Sequence, residues 1–262
     1  MIESKFIKYI KSKIRVSPDI AIILGSGLGG FTKYLKNKII ISYNEIENYP
    51  KSTVKGHNGE FIFGFYEDVP IICASGRFHY YEGHALNTVR MPIRLIKNLQ
   101  CNNIIITGAA GCLNKDWSLG DLMLIKGYID YSYLKTNTKP EIVKIFNKDN
   151  VFFSKIKKDL QKNKISFRKG IYTWTIGPSY ETVAEINDII CIGGDAVGMS
   201  TVPEIIESIR LEMNVLGVTC LTNYGAGLTK TKPSHKEVLL QSKKSIKNFT
   251  KLLLTIIENY EK

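Results

Sequence analysis

Short apolar runs rich in β-branched residues recur along this chain, and most of them end in a turn of Gly, Ser or Thr. They lie at residues 20–24, 61–65, 69–74, 103–107, 121–125, 170–175, 195–197 and 215–222. Helical patterns stand between several of them, at 85–99, 182–190, 203–212 and 235–260. Strands of this length alternating with helices predict an α/β fold with a largely parallel central sheet. In open α/β sheets ligands gather at the carboxyl ends of the strands, so the turns there are where chemistry is expected. No Pro/Gly/Ser linker or internal repeat divides the sequence, which predicts one domain over residues 1–262. Residues 134–169 are rich in Lys and Asn and weakly patterned, and read as a surface excursion.

The composition narrows the class. Hydrophobic residues make up 44% of the 262 residues and charged residues 23%, as in ordinary globular proteins. No apolar run reaches the roughly 18 residues that a membrane helix requires. The first residues, MIESKFIKYIKSKIRV, lack the apolar core of a signal peptide. A cytoplasmic protein is expected. The five cysteines are odd in number and form no CxxC or Cys/His cluster, so reduced, buried thiols are expected rather than disulfides or zinc. The net charge of +12 raises nucleic-acid binding. However, only six of the 36 basic residues are Arg, and the lysines are scattered. Base readout and phosphate forks favour Arg, so no nucleic-acid partner is expected.

The run AIILGSGLGG carries an apolar strand straight into a glycine-rich turn. Such a turn lets backbone amides face an anion, and Ser26 adds a hydroxyl. Gly25, Gly27 and Gly30 also match GxGxxG, so a nicotinamide oxidoreductase is the alternative from another class. That reading requires a helix after the turn and an acidic residue ending a second strand. Glu45 and Glu47 stand instead in a polar stretch.

Residues 76–83 read GRFHYYEG, directly after the run VPIICAS. Arg77 and His79 are two residues apart, so in an extended segment both point to one face. An Arg and a His together suit an oxyanion such as phosphate.

Together these motifs resemble the trimeric purine nucleoside phosphorylases, with the methylthioadenosine phosphorylases as close relatives. The matching segments are GSGLGG (25–30), GHNGEF (56–61), GRFHYYEG (76–83), TGAAGCLN (107–114), GPSYETVAE (177–185), DAVGMSTVPE (195–204), LTNYGAG (221–227) and SHKEV (234–238). The resemblance implies a single α/β domain with a central mixed, partly barrel-like sheet flanked by helices, assembled as a homotrimer. It implies phosphate binding by Ser26, His57, Arg77, His79, Ala109 through its backbone amide, and Ser200. Tyr81, Tyr180, Met199 and His235 would line the ribose. Glu181 and Asn223 would hold the purine, and the catalytic set would be Asn223, Glu181 and His79. The substrates implied are a purine nucleoside and inorganic phosphate, with no cofactor.

The chemistry fits these residue types. Phosphorolysis places an anion against a ribose carbon that becomes cationic, while negative charge grows on the departing base. Positioning and electrostatics dominate, and no covalent enzyme intermediate is required. Asn223 can donate to a 6-oxo group and N7, and Glu181 can accept from N1–H. The methylthioadenosine enzymes carry Asp where this chain has Asn223, so the resemblance favours inosine, guanosine and their deoxy forms. Methylthioadenosine phosphorolysis is the alternative within the class, and a silent nucleoside-binding protein is the alternative without chemistry. By residues alone, other readings stay open. Glu181 can be a helix-capping carboxylate. Asn223 can be a turn residue, and Met199 can be core packing. The chain departs from the family pattern at Gly108, at Cys112 and across GYIDYSYLKTNTKP. In that last region the family lends an aromatic residue to the neighbouring subunit. Phe146, Phe152 and Phe153 are the candidates here.

Overall fold

The computed structural model describes residues 2–51, 58–134, 138–145, 166–230 and 233–259. The chain divides into two compact units, residues 1–107 with 203–215 and residues 108–202 with 216–262.

The first unit opens with α1 (Ile2–Lys13). Phe6, Ile10 and the following Ile14 are buried, while Lys5, Lys8 and Lys11 face solvent, so an apolar stripe seats this helix. The sheet of this unit contains β1 (Ile20–Ile23), β2 (Lys36–Ser42), β3 (Glu60–Tyr66), β4 (Val69–Ser75) and the start of β5 (Asn103–Cys112). β1 lies between β4 and β5, parallel to both. All four of its residues are buried, as a central strand requires. β2, β3 and β4 form an antiparallel meander on its far side. The expected helix at 85–99 is two helices, α2 (Leu86–Val89) and α3 (Met91–Asn98). Pro92 sits in the first turn of α3, where its missing N–H costs nothing, and the chain breaks at Arg90 to put it there.

The second unit is a barrel. It uses the rest of β5, β6 (Leu122–Asp130), β8 (Arg168–Trp174), β9 (Ala196–Gly198) and β10 (Asn214–Tyr224). The order β10-β6-β8-β9-β5 is closed by pairing of β10 with β5. β8 is parallel to β6 and β9, whereas β10–β6 and β5–β9 are antiparallel. The short β7 (Ile142–Lys144) adds to β6. The helices are α4 (Val183–Cys191) and the long α6 (His235–Glu258). α6 buries Phe249, Leu252, Leu253, Ile256 and Ile257, a stripe of helical period. Between β9 and β10 the chain forms α5 (Val202–Arg210).

The fold is therefore mixed α/β with a five-stranded mixed barrel, as the family resemblance implies. The expectation of a largely parallel sheet is corrected, because meander and barrel bring antiparallel neighbours to β2, β3, β6 and β9. Among the described residues no helix is long and apolar enough to cross a membrane.

Candidate active site

In the first unit, the glycine turn leaves β1 and runs into a 3₁₀ helix at Gly29–Tyr34, not an α-helix. The strand that follows, β2, lies at the edge of the sheet beside β3 and does not neighbour β1 among the described residues. The dinucleotide fingerprint needs a strand, a turn and an α-helix in one βαβ unit, so the oxidoreductase reading loses its structural context. Thr107 anchors the turn. Its hydroxyl accepts from Gly25 N at 3.0 Å and donates to Ile23 O at 2.7 Å. Ser26 is half-buried in the turn.

Arg77 and His79 flank Phe78, whose ring packs against Tyr43, Tyr49 and His84. Arg77 is 2% exposed and donates from Nε to Glu204 Oε1 at 2.9 Å. His79 is 7% exposed, and its Nδ1 lies 2.9 Å from Glu82 Oε1, which also accepts from the His79 amide at 2.8 Å. A carboxylate on Nδ1 fixes the ring orientation and directs Nε2 to the other side. The half-buried Tyr81 ring stacks on the imidazole at 4.8 Å. Each of these two side chains is thus held by a carboxylate.

A tight backbone contact holds this loop. Tyr43 donates from its hydroxyl to Gly76 O at 2.9 Å. A Cβ at Gly76 would stand 2.9 Å from Gly59 Cα, Gly59 N and Tyr43 Cε2. Backbone cannot yield as a flexible side chain can. Gly76→Ala is expected to cost about 1–3 kcal/mol through overpacking. Urea unfolding of the variant should show a lower midpoint at an unchanged m-value.

In the second unit the candidate residues lie on the barrel strands or just beyond them. Ala109 is half-buried on β5. Asn223 is 4% exposed near the end of β10, so it is a strand residue and not a turn residue. Its Oδ1 accepts from Thr222 Oγ1 at 3.1 Å, and its Nδ2 donates to Tyr224 O at 3.2 Å. A Cβ on Gly111 of β5 would come within 3.3 Å of Asn223 Nδ2 and 3.2 Å of Val197 Cγ1, so the glycine makes room for this amide.

Met199 and Ser200 follow β9, and both are half-buried, which places Met199 outside the core. The Ser200 hydroxyl lies 3.2 Å from that of Thr201. Thr201 is buried with φ 75°, in the left-handed region that a β-branched residue rarely adopts. Val202 N donates to Ser200 O at 2.8 Å and closes this strained turn. Such strain persists only where the surroundings hold it.

Glu181 follows the cis Gly177–Pro178 bond and precedes α4. The capping reading of Glu181 is corrected. Thr182 is the N-cap, accepting from Glu185 N at 3.3 Å, and Glu185 Oε2 accepts from Thr182 N at 2.7 Å. Glu181 instead accepts from the Thr175 hydroxyl at 2.6 Å. Burial raises its pKa above the ordinary carboxylate value, and the Thr175 hydrogen bond opposes that shift. Tyr180 beside it is 37% exposed.

His57, Phe146, Phe152 and Phe153 lie outside the described residues, as does the side chain of His235, whose backbone begins α6. Sequence reasoning gave no role to Glu82, Glu204, Thr107 or Thr175. Glu82 stands three residues after His79, a spacing that a search for imidazole partners would catch. Glu204 lies 127 residues from Arg77, and only its place in the DAVGMSTVPE motif pointed to it. Among the described residues no group of three or more His, Cys, Asp or Glu is arranged to hold a metal ion.

The sequence model of the phosphorylase superfamily matches residues 19–258. Purine nucleoside phosphorylase 1 of Bacillus subtilis is 39% identical over 97% of this chain and 96% of its own length. The structure of Schistosoma mansoni purine nucleoside phosphorylase in complex with inosine superposes with a TM-score of 0.87. It is 31% identical and covers 98% of this chain and 95% of that one. The structure of the same enzyme with adenosine gives a TM-score of 0.87 at 32% identity, covering 98% of this chain and 96% of that one. With the barrel in place and the matches running nearly end to end, the chain belongs to the phosphorylase superfamily and, within it, to the purine nucleoside phosphorylases.

Proposed function

We propose that the chain catalyses reversible phosphorolysis of 6-oxopurine ribonucleosides and deoxyribonucleosides, giving the free base and the (deoxy)ribose 1-phosphate. The observation that carries this reading is the pair of buried donors two residues apart, Arg77 on Glu204 and His79 on Glu82. Oriented donors of this kind suit a phosphate oxyanion. A phosphate oxygen attacks C1′ as the bond from C1′ to the purine nitrogen breaks, and the electron pair leaves with the base. Asn223 Nδ2 donates to the base as that charge grows, and ionised Glu181 accepts from N1–H. Ser26, His57, the Ala109 amide and Ser200 complete the phosphate ligands. Tyr81, Tyr180, Met199 and His235 meet the ribose. Inorganic phosphate is the co-substrate, and no cofactor enters.

The deciding experiment follows hypoxanthine release from inosine with and without phosphate. Release only with phosphate is expected. Release that ignores phosphate indicates a hydrolase and defeats the reading, and no release at all favours a silent nucleoside-binding protein. Adenosine and methylthioadenosine belong in the same panel, with lower kcat/KM expected for both. We further propose a single-domain protein in the cytoplasm, assembled as the homotrimer that the family resemblance implies.

The raised pKa of Glu181 has a signed consequence. The ionised carboxylate is the acceptor, so activity is lost as pH falls through that raised pKa. At saturating phosphate, kcat/KM for inosine is expected to show an acid limb above the ordinary carboxylate range. Glu181→Gln keeps a neutral acceptor, and should flatten that limb and lower the plateau about tenfold. Stability runs the other way. A carboxyl whose folded pKa is raised favours the protonated fold, and this contribution is lost as pH rises through the folded pKa. The Gln variant should therefore melt no lower than the parent at pH 7, and a clearly lower Tm would contradict the assignment of burial as the cause.

A further inference from the structure

We propose that Glu204 is a positioning residue for the phosphate step, fixing the Arg77 guanidinium through its Nε edge. The proposal rests on the reading of Arg77 as a phosphate ligand. Both side chains are 2% exposed, and Nε meets Oε1 at 2.9 Å. A guanidinium is a planar fork, so one bond at Nε sets the plane of the whole group. With Glu204 on that edge, an incoming oxyanion is met by the Nη end of the fork. The carboxylate also balances the buried cation before phosphate binds, which keeps the side chain in place in the empty enzyme.

The backbone that carries this carboxylate is anchored. Glu204 stands in the first turn of α5, and its carbonyl accepts from Ser208 Oγ at 2.8 Å. Less than one turn further on, Glu207 accepts from Arg94 Nη1 at 3.4 Å and from Arg210 Nη2 at 2.7 Å. Arg94 belongs to α3 and also donates from Nη2 to Asn87 O at 2.8 Å. α5 is thereby tied to α3 by one buried glutamate while it presents another to Arg77. The Tyr43 hydroxyl holds the carbonyl of Gly76, the residue before Arg77. Glu204 thus acts through Arg77, and its loss should be felt in phosphate recognition more than in nucleoside recognition.

The test compares the full-length parent with Glu204→Gln, Glu204→Asp, Arg77→Gln and the double variant Arg77→Gln/Glu204→Gln. The readouts are KM for phosphate, KM for inosine and the thermal melt. Glu204→Gln is expected to raise KM for phosphate about tenfold or more and to leave KM for inosine within about threefold. Glu204→Asp keeps the charge and should recover part of the phosphate affinity. In the Arg77→Gln background, Glu204→Gln should add less than about twofold, because both act on one contact. Equal rises in both KM values, an unchanged phosphate KM, or full additivity in the double variant overturns the proposal. An Arg77→Gln enzyme with normal phosphate KM defeats the phosphate reading of Arg77 itself, and this proposal with it. If Glu204→Gln melts below the assay temperature, Glu204→Asp carries the test. A fold rise in phosphate KM no larger than the fold rise in inosine KM in that variant overturns the proposal.

Discussion

Arg77→Gln is expected to lower kcat/KM for phosphate by about 30- to 4,000-fold. Arg77 is almost fully buried, and it pairs with an equally buried carboxylate, Glu204. Truncating one member of a buried, hydrogen-bonded charge pair costs about 2–5 kcal/mol, and about 1.4 kcal/mol corresponds to tenfold in rate. Two losses combine in the variant. The fork that would meet the oxyanion is gone, and Glu204 remains as a buried carboxylate without its cation. The second loss also lowers stability, so the Tm should fall along with activity. Arg77→Lys separates the two. It keeps a positive charge for Glu204 but replaces the planar fork by a point charge, so it should recover stability more fully than phosphate affinity. Steady-state kinetics with phosphate varied at saturating inosine, paired with a thermal melt of each variant, gives both numbers. An Arg77→Lys enzyme of parental phosphate KM would mean that charge alone, and not the oriented fork, serves the site.

The parts of this site that could be read from the sequence are the local ones. β1 and the turn after it are legible because four buried residues run directly into Gly25–Gly30. Thr182 and Glu185 form a capping box at the spacing a sequence displays. The edge strand β2 was not legible. It reads KNKIIIS, with two lysines that keep an exposed edge from pairing further, and that composition resembles a surface loop. β7 is three exposed residues that become a strand only because β6 is there to pair with. Closure of the barrel depends on the pairing of β5 with β10, strands that begin more than a hundred residues apart, and no local period encodes it. The carboxylate partners follow the same division. Glu82 is within one turn of His79, whereas Glu204 reaches Arg77 only through the fold. Glu181 shows both cases at once. Its motif was visible, but that Glu185 takes the cap and leaves Glu181 to Thr175 appears only in three dimensions.

Asn223→Asp is expected to invert the preference between inosine and adenosine, with the loss on inosine larger than the gain on adenosine. In the parent, Asn223 presents one acceptor and one donor from a nearly closed position. Oδ1 receives the Thr222 hydroxyl, and Nδ2 faces the Tyr224 carbonyl at 3.2 Å. An aspartate keeps the first contact and turns the second into two acceptors facing each other. Ionised, it repels that carbonyl and a 6-oxo group alike. It gains an acceptor for the 6-amino group of adenine. A site built to hydrogen-bond one substrate rejects its complement by leaving buried groups unpaired, and the discrimination reaches about 10⁴. A fall of about 10²–10³ in kcat/KM for inosine is therefore expected, with a rise of about tenfold for adenosine. The buried position adds a pH signature. Desolvation and the facing Tyr224 carbonyl disfavour the charged carboxylate, so its folded pKa is raised and the neutral acid gains weight as pH falls. The neutral acid can donate again, to Tyr224 O or to the base. The ratio of inosine to adenosine activity of the variant should then rise as pH falls, on top of the acid limb that Glu181 imposes on inosine, a change of ratio that titration of residue 223 cannot cause in the parent. Measuring kcat/KM for both nucleosides across pH at saturating phosphate tests this directly. A variant that stays strict for inosine at every pH would remove Asn223 from purine recognition and leave the choice of base to Glu181.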